Sequence, residues 1–260
     1  MQPTRDLSLR CQPMFLVDNC RLTQYLPMSN ASTPSPPQTP VCVSLEDVTL
    51  VRGQTPVFAH LTLTLSEPRI GLIGDNGSGK SSLFRLISGL DQPQCGRVVL
   101  PSGANAVGMM FQNPDEQIIF PTVEEELALS LHHLKLSRHA AQAHVRGWLA
   151  ARGLADWAPR AVGSLSQGQR QQVCWLALQI AAHRTLLLDE PFSSLDLPHQ
   201  AQLKRDMAQA TQQIIVATHV LDPIRTFERV IWLDQGRVRA DGAGAEVCAA
   251  YEADVALRMG

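Results

Sequence analysis

Eight residues constrain this chain more than any others: Gly74, Asp75, Asn76, Gly77, Ser78, Gly79, Lys80 and Ser81. They fit the spacing G-x-x-x-x-G-K-S. Ahead of them Arg69–Ile73 is a compact apolar run that reads as a strand, and Gly79–Leu90 behind them reads as a helix. A strand, a glycine turn and a helix in that order point successive backbone N–H groups at one place. The helix N-terminus adds partial positive charge there. Such a loop holds phosphate. Lys80 can reach the β- and γ-phosphates of a nucleotide, the Ser81 hydroxyl suits Mg²⁺, and Ser82 completes the cradle.

A second element narrows the chemistry. Leu186-Leu187-Leu188-Asp189-Glu190 is an apolar strand ending in two acids. A carboxylate at the C-terminal edge of a parallel strand lies beside such a loop. Asp189 is placed to hold Mg²⁺, and Glu190 points elsewhere and can polarise an attacking water. The pair of motifs predicts a P-loop nucleoside triphosphatase.

The remaining pattern fills in an α/β fold. Ser44–Leu50 and Leu61–Leu65 alternate apolar and polar residues, as half-buried antiparallel strands do. Ala106–Phe111 reads as a further strand. Helical spacing dominates residues 122 to 182, with Val123–Leu131, Arg138–Arg152 and Gln167–Ala182 as the helices. Buried strands return at Thr185–Asp189 and Gln213–Thr218. Val230–Leu233 and Val238–Ala240 flank Asp234-Gln235-Gly236, a hairpin signal, and a helix near Glu246–Leu257 closes the chain. The expected organisation is one domain over residues 41–260, with an antiparallel β subdomain and a helical subdomain at about 122–182. Residues 1–40 carry Pro27, Pro34, Pro36, Pro37 and Pro40 among Ser, Thr and Asn, and are expected to form a disordered leader.

Composition excludes other classes. The net charge of −2 gives no basic surplus for nucleic acid. The longest apolar run, near Trp175, is cut by Gln179, His183 and Arg184, too soon for a membrane span. None of the six cysteines forms a Cys-x-x-Cys pair, so zinc and a disulfide framework are not indicated.

Leu165-Ser166-Gln167-Gly168-Gln169 stands before a long helix, between the phosphate loop and the acidic strand. It resembles the signature of ABC ATPases, commonly Leu-Ser-Gly-Gly-Gln, with Gln167 where the family usually has Gly. Phe111-Gln112 resembles the family's Q-loop, Ser193-Ser194-Leu195-Asp196 its D-loop, and His219 its switch histidine. The resemblance spans residues 43 to 242 and implies the ABC-type nucleotide-binding domain, with ATP and Mg²⁺ as its ligands. It implies that Gln112 joins Ser81 and Asp189 at the metal, and that Gln112 and His219 join Glu190 in catalysis. It also implies that Ser166, Gly168 and Gln169 face the nucleotide of a second ATPase subunit, in a homodimer or a heterodimer. One family mark is missing. Leu50-Val51-Arg52 occupies the region of the aromatic residue that stacks on adenine, and Arg52 either stacks by its guanidinium plane or is a solvated strand-end charge.

The segment from Phe111 to Glu126, Phe-Gln-Asn-Pro-Asp-Glu-Gln followed by Thr-Val-Glu-Glu, is similar to energy-coupling factor ATPases. That resemblance implies a transmembrane coupling protein and a small substrate-binding membrane protein as partners. It implies a vitamin or a transition-metal ion as cargo, and a place on the cytoplasmic face of the cell membrane. The Leu-Ser-Gln-Gly-Gln variant looks nearest to biotin-type or cobalt-type members. An ATPase of another transporter class, or a non-transport regulatory ATPase, is the alternative. Ile118, Ile119 and Phe120 form an apolar cluster beside Glu124, Glu125 and Glu126. It reads either as the docking point for the membrane partner, with the acids contributing, or as core.

Overall fold

The computed structural model describes residues 42–101, 105–193 and 195–259. The expectation of a leader over residues 1–40, and Ser194 of the D-loop, lie outside them. Strands β1 (Val43–Arg52), β2 (Thr55–Leu65) and, after β3 (Arg69–Ile73) and helix α1 (Lys80–Ile87), β4 (Cys95–Val99) form the first sheet and its neighbours in the chain. The first sheet has the order β2-β1-β4 and both of its pairings are antiparallel. The alternation in β1 and β2 turns Val43, Leu45, Val48, Leu50, Phe58, Leu61, Leu63 and Leu65 onto one buried face.

Then come β5 (Val107–Met110), α2 (Val123–Leu129), α3 (Arg138–Ala150), α4 (Gln167–Ile180), β6 (Thr185–Asp189), α5 (Leu197–Gln209), β7 (Gln213–Ala217), β8 (Arg229–Asp234), β9 (Arg237–Gly242) and α6 (Gly244–Met259). The second sheet runs β5-β6-β7-β3-β8-β9. Its strands are parallel except β9, which returns antiparallel beside β8. Every residue of β6 and of β7 is buried, as expected for parallel strands covered on both faces. Two buried polar side chains in these strands satisfy one another. The Thr185 hydroxyl donates to Gln213 Oε1 at 2.9 Å, and Gln213 Nε2 donates to the carbonyls of Leu65 and Glu67. The bond from Gln213 to Leu65, and Arg229, which reaches the Thr64 carbonyl, Glu67 and Asp241, tie the two sheets together.

Helices α2 and α3 pack with α4 around Val123, Leu127, Val145, Leu149, Val173 and Leu176. Two elements escape the sequence reading. β4 is a largely exposed strand containing a glycine, so it carries no alternation to detect. α5 buries only Leu203 and Met207, too narrow a stripe to register. β2 also begins at Thr55, six residues before the expected Leu61, because its first half pairs with the exposed end of β1.

Candidate functional site

The parallel strands bring their C-terminal ends to one edge, and the phosphate loop leaves β3 there, between β7 and β8. Close packing forces glycine at two of its positions. Gly74 has φ 142°, and a Cβ on it would sit 2.1 Å from the Leu233 carbonyl oxygen. Gly79 has φ 112°, and its Cβ would press on the Phe58 ring at 2.8 Å. Both backbone angles lie where L side chains are strained. Gly79 also stands at the N-cap of α1, where no side chain caps the helix and the first turn holds no acid. The amide groups there remain available to an anion.

A cavity of about 700 Å³ opens over this loop. Gly74, Asp75, Asn76, Gly77, Gly79, Lys80, Ser81 and Ser82 line it, together with Gln112, Asp189, Glu190 and His219. Ser78, also expected at the site, has a buried side chain and is not a lining residue. Its backbone instead braces the loop, with its N–H donating to the Asp75 carbonyl and its carbonyl accepting from Gly236. The Lys80 ammonium is buried and donates to the carbonyls of Gly74 at 2.7 Å and Asp75 at 3.1 Å. Burial pulls its pKa down, against the opposing charges of Glu190, Asp189 and Asp75.

Asp189 ends β6 at the floor of the cavity. Burial pushes its carboxyl up. The Ser81 hydroxyl pulls it down, Glu190 pushes it further up, and Lys80 pulls it down. Glu190 follows with φ 48°, a left-handed turn at the end of the strand. Its N–H is held by the Ala217 carbonyl at 2.8 Å. Glu190 Oε2 meets His219 twice, through Nδ1 at 2.8 Å and through the backbone N–H at 3.2 Å.

The signature residues stand apart. Ser166, Gly168 and Gln169 do not line this cavity. Ser166 caps α4 by accepting the Gln169 N–H at 3.3 Å, and Gln169 Oε1 accepts the Ser166 N–H at 3.1 Å. Gly168 faces the His199 ring, whose nitrogen bonds Asp196 of the D-loop.

One open alternative is narrowed and one expectation is corrected. Arg52 pairs with Asp91 and is not a lining residue of the cavity, which favours the strand-end charge over stacking. The three acids beside the apolar cluster are not a free surface. Glu124 pairs with Arg146, Glu125 with Arg138 and the Thr122 hydroxyl, and Glu126 is buried, accepting the amides of Ile119 and Phe120 at 2.9 Å each. Ile119 and Phe120 themselves are exposed, at 75% and 40%. Sequence reasoning missed two lining residues, Val57 and Tyr251. No motif marks either. Tyr251 sits in the closing helix, and only the fold brings it to the loop.

Comparison with known proteins agrees with this geometry. A family model described as ABC transporter matches residues 59–193. The biotin transport ATP-binding protein BioM of Rhodobacter capsulatus is 46% identical over 218 residues, covering 80% of this chain and 93% of that protein. The energy-coupling factor transporter ATP-binding protein EcfA1 of Levilactobacillus brevis is 31% identical, covering 75% of each. Among solved structures, cbiO1 from Clostridium perfringens, part of the ABC transporter complex cbiONQ, superposes with a TM-score of 0.68 at 22% identity. It covers 84% of this chain and 94% of that one, and shows the same fold. With a phosphate loop, an acidic strand end and a signature helix on that fold, the chain belongs to the ABC transporter family as one of its ATP-binding proteins, and it is an ATPase.

Proposed function

We propose that the chain drives an importer of the energy-coupling factor type, with biotin as the cargo. One observation carries the reading of the site. Lys80, Ser81, Gln112, Asp189, Glu190 and His219 come from well-separated stretches of the chain and line one cavity. The cargo rests on the likeness to a biotin transport ATP-binding protein over nearly that protein's whole length.

Phosphoryl transfer asks for positioning and charge stabilisation more than for covalent chemistry. Lys80 supplies positive charge to the β- and γ-phosphates, and the loop amides hold them in place. The Ser81 hydroxyl, the Asp189 carboxylate and the Gln112 amide oxygen are hard oxygen donors of the kind Mg²⁺ takes, and they line the same cavity. Mg²⁺ held by them would neutralise charge on the phosphate oxygens. Glu190 Oε2 is committed to His219, so Oε1 is the oxygen that takes a proton from the attacking water.

Ser166, Gly168 and Gln169 lie outside this cavity, and a second ATPase subunit, packed head to tail, brings its own copies to the γ-phosphate. One sequence carries both halves, so a homodimer suffices, and a heterodimer would use the same parts. The exposed Ile119 and Phe120, a few residues beyond Gln112, form the docking point for a transmembrane coupling protein paired with a substrate-binding membrane protein. Coupling between that contact and the nucleotide state is reciprocal in binding energy. These partners hold the chain at the cytoplasmic face of the membrane. Among the described residues no helix is long and apolar enough to cross a membrane.

The test is uptake of labelled biotin and of cobalt in cells lacking the chain, complemented by wild type or by Lys80→Ala. Biotin uptake restored by wild type alone supports the reading. Restoration of cobalt uptake instead moves the cargo, and no effect on either removes the importer.

A further inference from the structure

Asp75 is the one carboxylate of the phosphate loop. Left alone it would set a negative charge at the rim of a polyanion site. It is not left alone. The Tyr251 hydroxyl donates to Asp75 Oδ1 at 2.7 Å, and Arg258 donates to Oδ2 through Nη1 at 2.5 Å and to Oδ1 through Nη2 at 3.4 Å. Tyr251 and Arg258 lie about two turns apart on α6, so they share a face.

That face is itself held in place. Arg258 Nε pairs with Asp254 at 2.9 Å, and Asp254 takes Arg239 at 2.5 Å. The Arg239 guanidinium lies over the Trp232 ring at 4.2 Å, and Tyr251 packs edge-on against the same ring at 5.2 Å. A line of contacts therefore runs from β8 and β9 through α6 to the loop, and Tyr251 lines the cavity.

We propose that Tyr251 and Arg258 are positioning residues for nucleotide binding: from the last helix they fix Asp75 and neutralise its charge, so that the loop accepts phosphate. The proposal rests on the reading that nucleotide phosphates occupy this loop. The protonation states suit it. The bond from Arg258, and then that from Tyr251, hold the Asp75 carboxyl below its ordinary range, so it stays ionised. Burial, and then Asp75, push the Tyr251 hydroxyl up to about 12, so it stays a donor. Arg258 and Asp75 are each about half exposed, so water screens the pair and the effect is modest.

Calorimetry of MgADP binding to the full chain tests it, with wild type, Tyr251→Phe, Arg258→Met, Asp75→Asn and the Asp75→Asn/Arg258→Met double variant. Arg258→Met should weaken binding about 2- to 5-fold, the range for one half-exposed charged contact. Tyr251→Phe keeps the packing on Trp232 and should weaken binding about 2-fold, as for one neutral hydrogen bond partly replaced by water. The double variant should bind within about 2-fold of Asp75→Asn, because the charge needing compensation is gone. The loss in Arg258→Met should shrink in high salt. Wild-type affinity in Arg258→Met, or a double variant as weak as Arg258→Met alone, overturns the proposal. The second outcome would mean that Arg258 only anchors the helix, and a lowered melting temperature would accompany it. Lys80→Ala separates the two levels: wild-type affinity there removes the nucleotide site itself, whatever α6 does.

Discussion

The N-termini of α1 and α4 begin the two motifs most characteristic of the chain, and they are finished in opposite ways. α1 starts at a glycine with no side-chain cap, no acid in its first turn and a buried lysine at its first position. α4 starts at a full capping box, in which Ser166 and Gln169 satisfy one another's backbone amides. A helix end left uncapped inside a folded protein carries unsatisfied donors, which cost stability until an anion arrives. A capped end is complete by itself. The first is built to take phosphate from its own chain's cavity. The second is a rigid, exposed turn whose hydroxyl can be presented outward without reshaping the helix.

The largest expected effect comes from breaking the open end. Lys80→Ala removes the ammonium that the Gly74 and Asp75 carbonyls now hold. Nucleotide affinity should fall at least ~100-fold, as expected when a charged hydrogen-bond donor is deleted, and hydrolysis should become undetectable. Calorimetry and phosphate release check the two parts. Glu190→Gln leaves the loop intact, so ATP should bind as in wild type while turnover slows at least ~100-fold. Normal turnover in this variant would move the role of base to another group.

What could be read from the chain follows the same divide. The open end is written in contiguous residues, because a loop that wraps phosphate needs glycines and a lysine at fixed covalent spacing. The hydrogen-bond partners of that site are not contiguous. Glu190 and His219 meet across 29 residues, and Asp75 and Tyr251 across 176. Motif order suggested that the first pair belongs to one site, but nothing in the spacing announced the second. Arg52 shows the converse, a side chain whose role the contiguous residues left open. Beside the empty aromatic position it looks free to stack, yet Asp91, 39 residues on, claims it. The strongly periodic strands and the insert helices were legible for a related reason, since each buries a wide face. β4 and α5 bury little and left little trace.

A third anion site sharpens the comparison, because the protein fills it itself. The amides of Ile119 and Phe120 converge on the buried Glu126 carboxylate. Both amides bond the same oxygen, Oε2, so Glu126→Gln keeps the volume and can turn its carbonyl oxygen to both, but it loses the charge that strengthens the two bonds. The cost should be about 1–3 kcal/mol, the difference between a charged and a neutral acceptor over two bonds. A thermal melt reads it, and MgADP affinity should not change, since Glu126 is not a lining residue of the cavity. Unchanged stability would mean that the loop holds its shape without the acid. Assembly with the membrane partner is better tested at the exposed Ile119, where a change to Ser removes apolar surface without unfolding the turn.

The smallest effect on stability, and the most informative about assembly, comes from opening the closed end. Ser166→Ala deletes the oxygen that accepts the Gln169 N–H. Ser166 is exposed, so water replaces part of the bond. The loss should be about 1 kcal/mol, typical of an N-cap serine, which lowers the melting temperature by roughly 2–4 °C in a domain of this size. MgADP affinity of the isolated chain should stay at the wild-type value, because Ser166 lies outside the cavity. Hydrolysis should nevertheless fall about 10-fold or more if the hydroxyl serves a second subunit's γ-phosphate, as for loss of one aimed donor. Mixing then decides between a site within one chain and a site between two. Lys80→Ala chains and Ser166→Ala chains are each deficient. A mixed dimer would pair one intact Lys80 with one intact Ser166 and leave both defects in the other site. With random pairing, half the dimers are mixed and each has one good site, so about a quarter of wild-type activity should return. No recovery on mixing, in chains shown to exchange subunits, would place Ser166 and Lys80 in service of the same chain's nucleotide.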